Sequence, residues 1–441
     1  MGLKEWVANW ILSGLPQEEV ERIERISKVR RYANGKHKAQ LTVKPGQADD
    51  NITMNFIGVI CQRTVSALFG NGFSLDFADL GESEQALYIQ QVLDANREEI
   101  LFHRAALVGS EVGTIFLKIV PTDGLPRLIL LNPEWVTVDT LPDDFEKVTR
   151  YTVQYTIGED ARRQVSALQD NGTWLVTDEV LNKSTQGKWT VINAVQWPYD
   201  FPPILHWQNL PAANDCYGVP DITDDVIALQ DRVNFVASNI SKIIRYHAHP
   251  KTWGAGLPNP SAASKTSWGA DEMVTFSDPN ARIQNLEMQS DLASSERFLL
   301  DLRQAMFDLT RTVDLDSIAD KVGSLTNFGL RVLYQDMLQK TATKRELYGD
   351  AIEELCRRLM ILAGMDPIEV AVVWPEILPV NETETMAATE KALALGILSK
   401  QTAATENGYD WEQERQRIED EAALGDNIGA QLLRAFNRGE A

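Results

Sequence analysis

Cysteine is nearly absent. Cys61, Cys216 and Cys356 are odd in number and widely spaced in a chain of 441 residues, which excludes a disulfide scaffold and fits free thiols in a reducing compartment. No apolar run approaches the length of a membrane span. The opening MGLKEWVANWILSG carries Glu5 and no sustained apolar core, so no signal peptide and no membrane partner are expected. Positive charge is scarce as well: 42 Lys and Arg stand against 63 Asp and Glu, a net charge of −21. A surface of that sign is not built to wrap nucleic acid or bind an anionic membrane.

Catalytic signatures are missing too. There is no GxxxxGK[ST] phosphate loop, and Gly187-Lys188 runs into Trp189 rather than Ser or Thr. No GxSxG, HExxH or paired CxxC occurs. His247 and His249 are two apart, so on a helix they point to different faces and suit carbonyl capping better than a metal. Asp314, Asp316 and Asp320 resemble a cation site by composition, but Ala319 stands where a calcium loop needs Gly. No enzyme, no metal and no cofactor is expected.

What is present is helix pattern. Ile222, Val226, Leu229, Val233, Val236, Ile240 and Ile243 step by four and three alternately, a narrow seam of the kind helices use to pack lengthwise. Pro220 suits a first helical turn, Asp221, Asp224 and Asp225 suit the positive end of the helix dipole, and Pro250 stops the run. Such a helix would be about 40 Å long. Leu292, Leu299, Leu302, Met306, Leu309 and Val313 repeat the frame downstream, predicting an antiparallel partner. Between the two lies a segment rich in Pro, Gly and Ser that carries Trp253 and Trp268 and can hardly bury a core of its own.

With 44 % hydrophobic and 24 % charged residues, the chain has the composition of a globular protein large enough for two or three domains. Residues 1–33 are predicted helical, with Trp6, Trp10, Val20, Ile23 and Ile26 on or near one face. A basic patch of Lys28, Arg30, Arg31, Lys36 and Lys38 follows, either solvated or set against an acidic neighbour. A helix over Asp50–Phe69 and one or two over Ser83–Ser110 come next. From Gly113 the period changes: Ile115–Val120 and Leu128–Leu131 predict a hairpin, and further strand signals run to Ile192, hence an α+β domain with a mainly antiparallel sheet. Phe201–Asp221 is a Pro-rich connection to the seam helix. Asn327–Leu362 is one long helical stretch whose polar middle, Gln339–Glu346, suits a bridge rather than a core element. Val370–Trp374 predicts a strand returning to the sheet, and residues 382–425, with 10 acidic and 4 basic side chains, predict two acidic helices.

Two stretches carry a family resemblance. Tyr217-Gly218-Val219-Pro220-Asp221-Ile222 running into Ile227-Ala228-Leu229-Gln230-Asp231-Arg232-Val233-Asn234, and Trp374–Glu384 followed by Gly396–Thr402, resemble the portal proteins of tailed bacteriophages, in particular those of long-tailed phages. The resemblance spans roughly residues 45–422 and rests on segment order, not on a catalytic signature. It implies a portal-type fold: a wing of helices plus antiparallel sheet (1–215), stem helices (220–247 and 291–312) with a small clip between them (248–290), and a tunnel loop (313–326). A long bridging wing helix and return strand (327–381), a helical crown (382–425) and a C-terminal tail (426–441) complete it.

The implied assembly is a ring, usually of twelve copies, at one capsid vertex of the virion, assembled in the host cytoplasm. Double-stranded DNA is driven in by the terminase large subunit without sequence specificity and later ejected. The head-tail adaptor, the tail, and the major capsid and scaffolding proteins are the implied partners. Tunnel-loop candidates are Val313, Asp314, Asp316, Asp320, Lys321, Gly323, Ser324 and Asn327. Stem cations that could graze phosphates are Lys242, Arg245, Arg297, Arg303 and Arg311, each equally able to pair with a carboxylate, and Trp253 and Trp268 are the clip's docking candidates. Twelve copies would carry a charge of roughly −250, a channel in which DNA slides rather than sticks. Steric gating, rather than electrostatic gripping, is expected of the loop. A non-viral helical scaffold or adaptor and a metal-dependent nucleic-acid enzyme are the competing readings. Ring formation separates the first, and metal-dependent cleavage the second.

Overall fold

The computed structural model describes residues 15–46, 48–77, 83–158, 160–181, 188–248, 251–255, 282–286, 292–314, 327–378, 382–406, 408 and 411–418. In order, the elements are α1 (Gln17–Ala33), α2 (Phe56–Phe69), β1 (Ser74–Asp76), α3 (Glu84–Asn96), α4 (Glu98–Val112), β2 (Thr114–Val120) and β3 (Arg127–Leu130). Then come β4 (Val136–Leu141), β5 (Asp144–Ile157), β6 (Asp160–Leu168), β7 (Trp174–Leu181), β8 (Thr190–Trp197) and β9 (Ile204–Gln208). The chain continues through α5 (Asp224–Ala248), β10 (Lys251–Ala255), β11 (Arg282–Leu286), α6 (Leu292–Leu309), α7 (Asn327–Leu333), α8 (Gln335–Leu362), β12 (Ala371–Val373), α9 (Glu382–Ala394) and α10 (Lys400–Glu406). Helix and antiparallel sheet are mixed, as the period change at Gly113 predicts.

Two units divide the chain, Met1–Ser324 with Val332–Ile377, and Leu325–Arg331 with Leu378–Ala441. In the first, β2 is the middle strand of the sheet β3-β2-β9 and is covered on both faces, which is why Ile115–Ile119 reads as a nearly unbroken apolar run. It packs with α2, α3, α4 and α8 around Leu68, Ile89, Phe102, Leu117, Tyr348, Leu355 and Leu359. The antiparallel meander β4-β5-β6-β7-β8 builds a second core from Val136, Tyr151, Val153, Trp174 and Trp197. A third joins α1, α2, α5 and α6 through Val29, Ile57, Ile60, Val226, Val233, Met306 and Phe307. Ile222, just before α5, and Val226 in its first turn share that cluster with Met306 and Phe307 at the end of α6, as an antiparallel pair requires. In the second unit α9 closes on Gly396 (φ +70°), where Ile397 N donates to Ala392 O at 3.0 Å and Gly396 N to Leu393 O at 3.0 Å, and the Ser399 hydroxyl caps α10 by accepting from Thr402 N at 3.1 Å.

Several boundaries differ from expectation. Helix α2 begins at Phe56, not Asp50, because the backbone of Ile52–Met54 is held outside the helix by side chains of α5. The Pro-rich connection contains β9, which pairs with β2. Helix α5 begins at Asp224, so Pro220 precedes the helix. Helix α6 ends at Leu309, which leaves Val313 beyond the helix that its spacing suggests. Asn327, a tunnel-loop candidate, is the first residue of α7, and the long stretch from it is interrupted at Tyr334. In the second acidic stretch the helix α10 ends at Glu406. Strand β12 does not rejoin the main sheets; it pairs with β1 in a separate ladder, Leu75 opposite Val372. Within the interhelical segment β10 pairs antiparallel with β11, placing Trp253 opposite Gln284. Trp6, Trp10, Trp268, Asp316, Asp320, Lys321, Gly323, Ser324 and the tail lie outside the described residues.

Candidate functional site: the root of the helix pair

The segment Tyr217–Ile222 crosses the end of α4 in direct backbone contact. Gly113, at φ +93°, leaves no room for a side chain: a Cβ there would lie 2.2 Å from Gly218 O, and one on Gly218 2.3 Å from Gly113 O. The crossing is tied by Gly218 N donating to Thr114 Oγ1 (3.0 Å), Asp221 N to Ser110 O (2.9 Å) and Val138 N to the Tyr217 hydroxyl oxygen (3.0 Å). Arg22 lies 4.2 Å above the Tyr217 ring. The glycine of this motif is therefore a packing requirement, and the motif locks the approach to α5 onto the sheet.

Asp221 is buried, with its side chain wholly shielded. Lys344 Nζ donates to Oδ2 at 2.6 Å, and Lys340 Nζ lies 2.9 Å from Oδ1. Burial alone would raise the Asp221 pKa, but the two ammonium groups and their hydrogen bonds hold the carboxyl well below the usual carboxylate range. Burial pushes Lys344 down to about 8, with Asp221 opposing the shift and Lys340 adding to it. Two lysines share one carboxylate, and the surplus charge has a second counterpart: Lys340 Nζ also donates to Thr310 O at 2.6 Å, at the carbonyl end of α6 where the helix dipole is negative. One turn further along α8, the Tyr348 hydroxyl donates to Asn209 Oδ1 at 3.2 Å. Helix α8 thus grips both members of the pair at one end, at Asp221 just before α5 and at Thr310 just after α6. The polar middle of Asn327–Leu362, read from sequence as a bridge rather than a core element, is buried at Lys340, Thr341 and Lys344. Asp221, assigned from sequence to a helix dipole, is the counter-ion of that grip.

A second polar row runs along α5. Gln230, Asn234 and Ser238, four residues apart, are all buried beside the apolar seam. Gln230 Oε1 accepts from Phe56 N (3.0 Å) and Ile57 N (3.3 Å), donors that the first turn of α2 leaves open, and Gln230 Nε2 donates to Met54 O at 2.6 Å. Asn234 Oδ1 accepts from Met54 N (3.0 Å), and Ser238 Oγ from Ile52 N (2.9 Å). Side chains here do what a neighbouring strand would do for the backbone at Ile52–Ile57.

Two groups of sequence candidates meet each other. Arg303 Nη2 donates to Asp314 Oδ1 at 2.6 Å, and the guanidinium lies 5.3 Å from the Phe56 ring and 5.9 Å from that of Phe307. Arg63 Nη1 donates to Val313 O at 2.7 Å. Helix α6 ends in a two-bond cap, Thr312 N to Phe307 O (2.9 Å) and Arg311 N to Asp308 O (3.0 Å), with Arg311 in the left-handed conformation at φ +51°. Arg245 pairs with Asp50 at 2.5 Å. Of the proposed stem cations, Arg245 and Arg303 are therefore bound within their own chain, while Lys242, Arg297 and Arg311 are exposed. The basic patch is likewise partly spent internally: Lys28 pairs with Asp224 (2.9 Å), and Arg30 with Glu111 and Glu134 (3.5 Å each).

The seam residues Ile222, Val226 and Val233 are fully buried, whereas Leu229, Val236, Ile240 and Ile243 are less completely covered. Off the seam, Phe235, Ile244, Phe298 and Leu300 are exposed, Leu300 to 60 %. Among the described residues no three His, Cys, Asp or Glu side chains come together as a metal ion needs, and no helix is long and apolar enough to cross a membrane. Cys61, Cys216 and Cys356 are free, and burial pushes each thiol up to about 12.

Sequence reasoning misses both polar rows, the one at Asp221, Lys340 and Lys344 and the one at Gln230, Asn234 and Ser238. Their spacing of four along α8 and α5 is the signal that could have found them, since it repeats on one helix face. Compared with known proteins, residues 13–425 match the family model described as phage portal protein, SPP1 Gp6-like. No protein with a curated description matches the sequence. Among solved structures, a chain from the virion of a native gene transfer agent particle is similar at 14 % identity and a TM-score of 0.51, with 87 % of this chain and 99 % of that chain covered.

Proposed function

Because this chain belongs to the SPP1 Gp6-like family of phage portal proteins, we propose that its copies form a ring at one capsid vertex of the virion. Double-stranded DNA is packaged through that channel by the terminase and later leaves by it, and the head-tail adaptor and tail dock on the ring. Its role is structural, without catalysis. In that assembly α5 and α6 are the stem, β10 and β11 belong to the clip, and residues 382–425 to the crown.

One observation in this chain supports ring formation most directly. The helix pair is held at its root by Asp221, Lys340 and Lys344, yet the apolar side chains Phe235, Ile244, Phe298 and Leu300 along it remain exposed. Such faces fit neighbouring copies in a heterologous contact that closes. DNA passes without being gripped: the chain carries −21, and two of the five candidate stem cations are neutralised by Asp50 and Asp314.

Mass and shape of the purified chain, by light scattering with negative-stain images, test the reading. A closed ring of about a dozen copies with a central hole is the expected result. A chain that stays monomeric at high concentration, and also with its capsid and scaffolding proteins, overturns it.

A further inference from the structure

The corner between α3 and α4 holds a concentration of positive charge at odds with the rest of the molecule. Arg97, Arg104 and Arg127 line one groove of 510 Å³ with Asn96, Ile100 and Leu125. All three arginines are exposed, and among the described residues none has a carboxylate within ion-pair distance. In a chain with 63 acidic residues to 42 basic ones, three unpaired guanidiniums on one concave surface are unusual. The acidic residues of the same turn, Glu98 and Glu99, line a different hollow with Asn71 and His103, which Arg104 also borders.

The groove's other wall is a strand edge. Strand β3 is the outer strand of its sheet, and Asn96 already pairs with its free side as a neighbouring strand would: Asn96 Nδ2 donates to Pro126 O (2.9 Å), and Leu128 N donates to Asn96 Oδ1 (2.8 Å). The ladder alternates, so with Leu131 N bonded inward to Phe116 O, the N–H and C=O of Leu130 face outward beyond Asn96. Ile100 and Leu125 add exposed apolar surface beside that edge, 47 % and 38 % exposed.

We propose that this groove docks an extended acidic segment of a partner protein, which adds to the β3 edge by main-chain hydrogen bonds while its carboxylates meet Arg97, Arg104 and Arg127. A strand edge flanked by apolar side chains recognises polypeptide rather than nucleic acid, and the arginines select for acidic sequence.

The test uses the full chain with an acetylated peptide of alternating Glu and Val, a matched peptide of Lys and Val, and a short DNA duplex. The Glu peptide should bind in a salt-dependent way and slow amide exchange at Leu130, and the Lys peptide should not bind. Arg97→Asn, Arg104→Gln and Arg127→Gln together should weaken binding at least about tenfold with the thermal midpoint unchanged, since all three side chains are exposed; Asn at position 97 tolerates the left-handed backbone at φ +53°. Equal binding of the triple variant, no binding of the Glu peptide, or a preference for the duplex that these substitutions abolish would each overturn the proposal.

Discussion

Lys344 Nζ sits 2.6 Å from Asp221 Oδ2 in a place that water does not reach. The pair joins residues 123 positions apart, one just before α5 and one in the middle of α8. With Lys340 bridging from the same carboxylate to the end of α6, it ties α5, α6 and α8 together.

Asp221→Asn should leave two buried ammonium groups without a charged partner and destabilise the chain by about 3–5 kcal/mol. Lys344→Met should cost less, because Lys340 still neutralises the carboxylate. Chemical denaturation followed by circular dichroism measures both; a loss below about 1 kcal/mol for Asp221→Asn would mean that the buried pair does not anchor α5 and α6.

Acid should loosen this anchor in a defined direction. The folded Asp221 carboxyl titrates below its ordinary 3.8, so folded protein binds fewer protons there than unfolded protein as pH falls below 3.8. Stability contributed by the pair is then complete above that value and is lost on acidification through the folded one. Wild type should lose unfolding free energy more steeply below pH 3.8 than Asp221→Asn does, and parallel acid profiles would contradict the assignment.

Gln230→Leu separates pattern from structure. A seam-based view of α5 makes an extra leucine beside Leu229 harmless or helpful. The structure instead leaves Phe56 N, Ile57 N and Met54 O without their amide partner, at a cost of about 2–3 kcal/mol. A thermal midpoint equal to or above that of wild type would show that water replaces the amide.

Arg311→Gly should stabilise the protein. Arg311 caps α6 at φ +51°, where a side chain is strained and glycine is not, for a gain of about 0.5–1 kcal/mol. If the midpoint falls instead, the exposed Arg311 side chain makes a contact that outweighs its backbone strain.

The elements are more legible in the sequence than their connections. The change of period at Gly113 marks where helices give way to strands, and the β2–β3 hairpin and the seam of α5 follow from local spacing alone. Strand β9 is hidden because Phe201–Asp221 is rich in Pro, although Ile204–Gln208 is apolar enough to pair with β2. The break between α3 and α4 at Arg97 rests on one left-handed residue, φ +53°, that no periodicity announces.

Composition and pattern by themselves determined the class of molecule. Few cysteines, a charge of −21, two helices sharing one frame and two family-like stretches are local quantities, and each survives without knowledge of any contact. Only the tertiary structure decided what the charged and polar side chains do. The family resemblance implies a tunnel loop for Asp314 and a DNA-facing stem position for Arg303, yet they neutralise each other at 2.6 Å; Lys340 and Lys344, in a polar stretch that reads as a bridge rather than a core element, are buried. The physical reason is that hydrophobic burial is set by spacing along one helix, which a sequence displays. The partner of a buried charge is set by which distant segment folding brings within about 3 Å, which spacing does not encode.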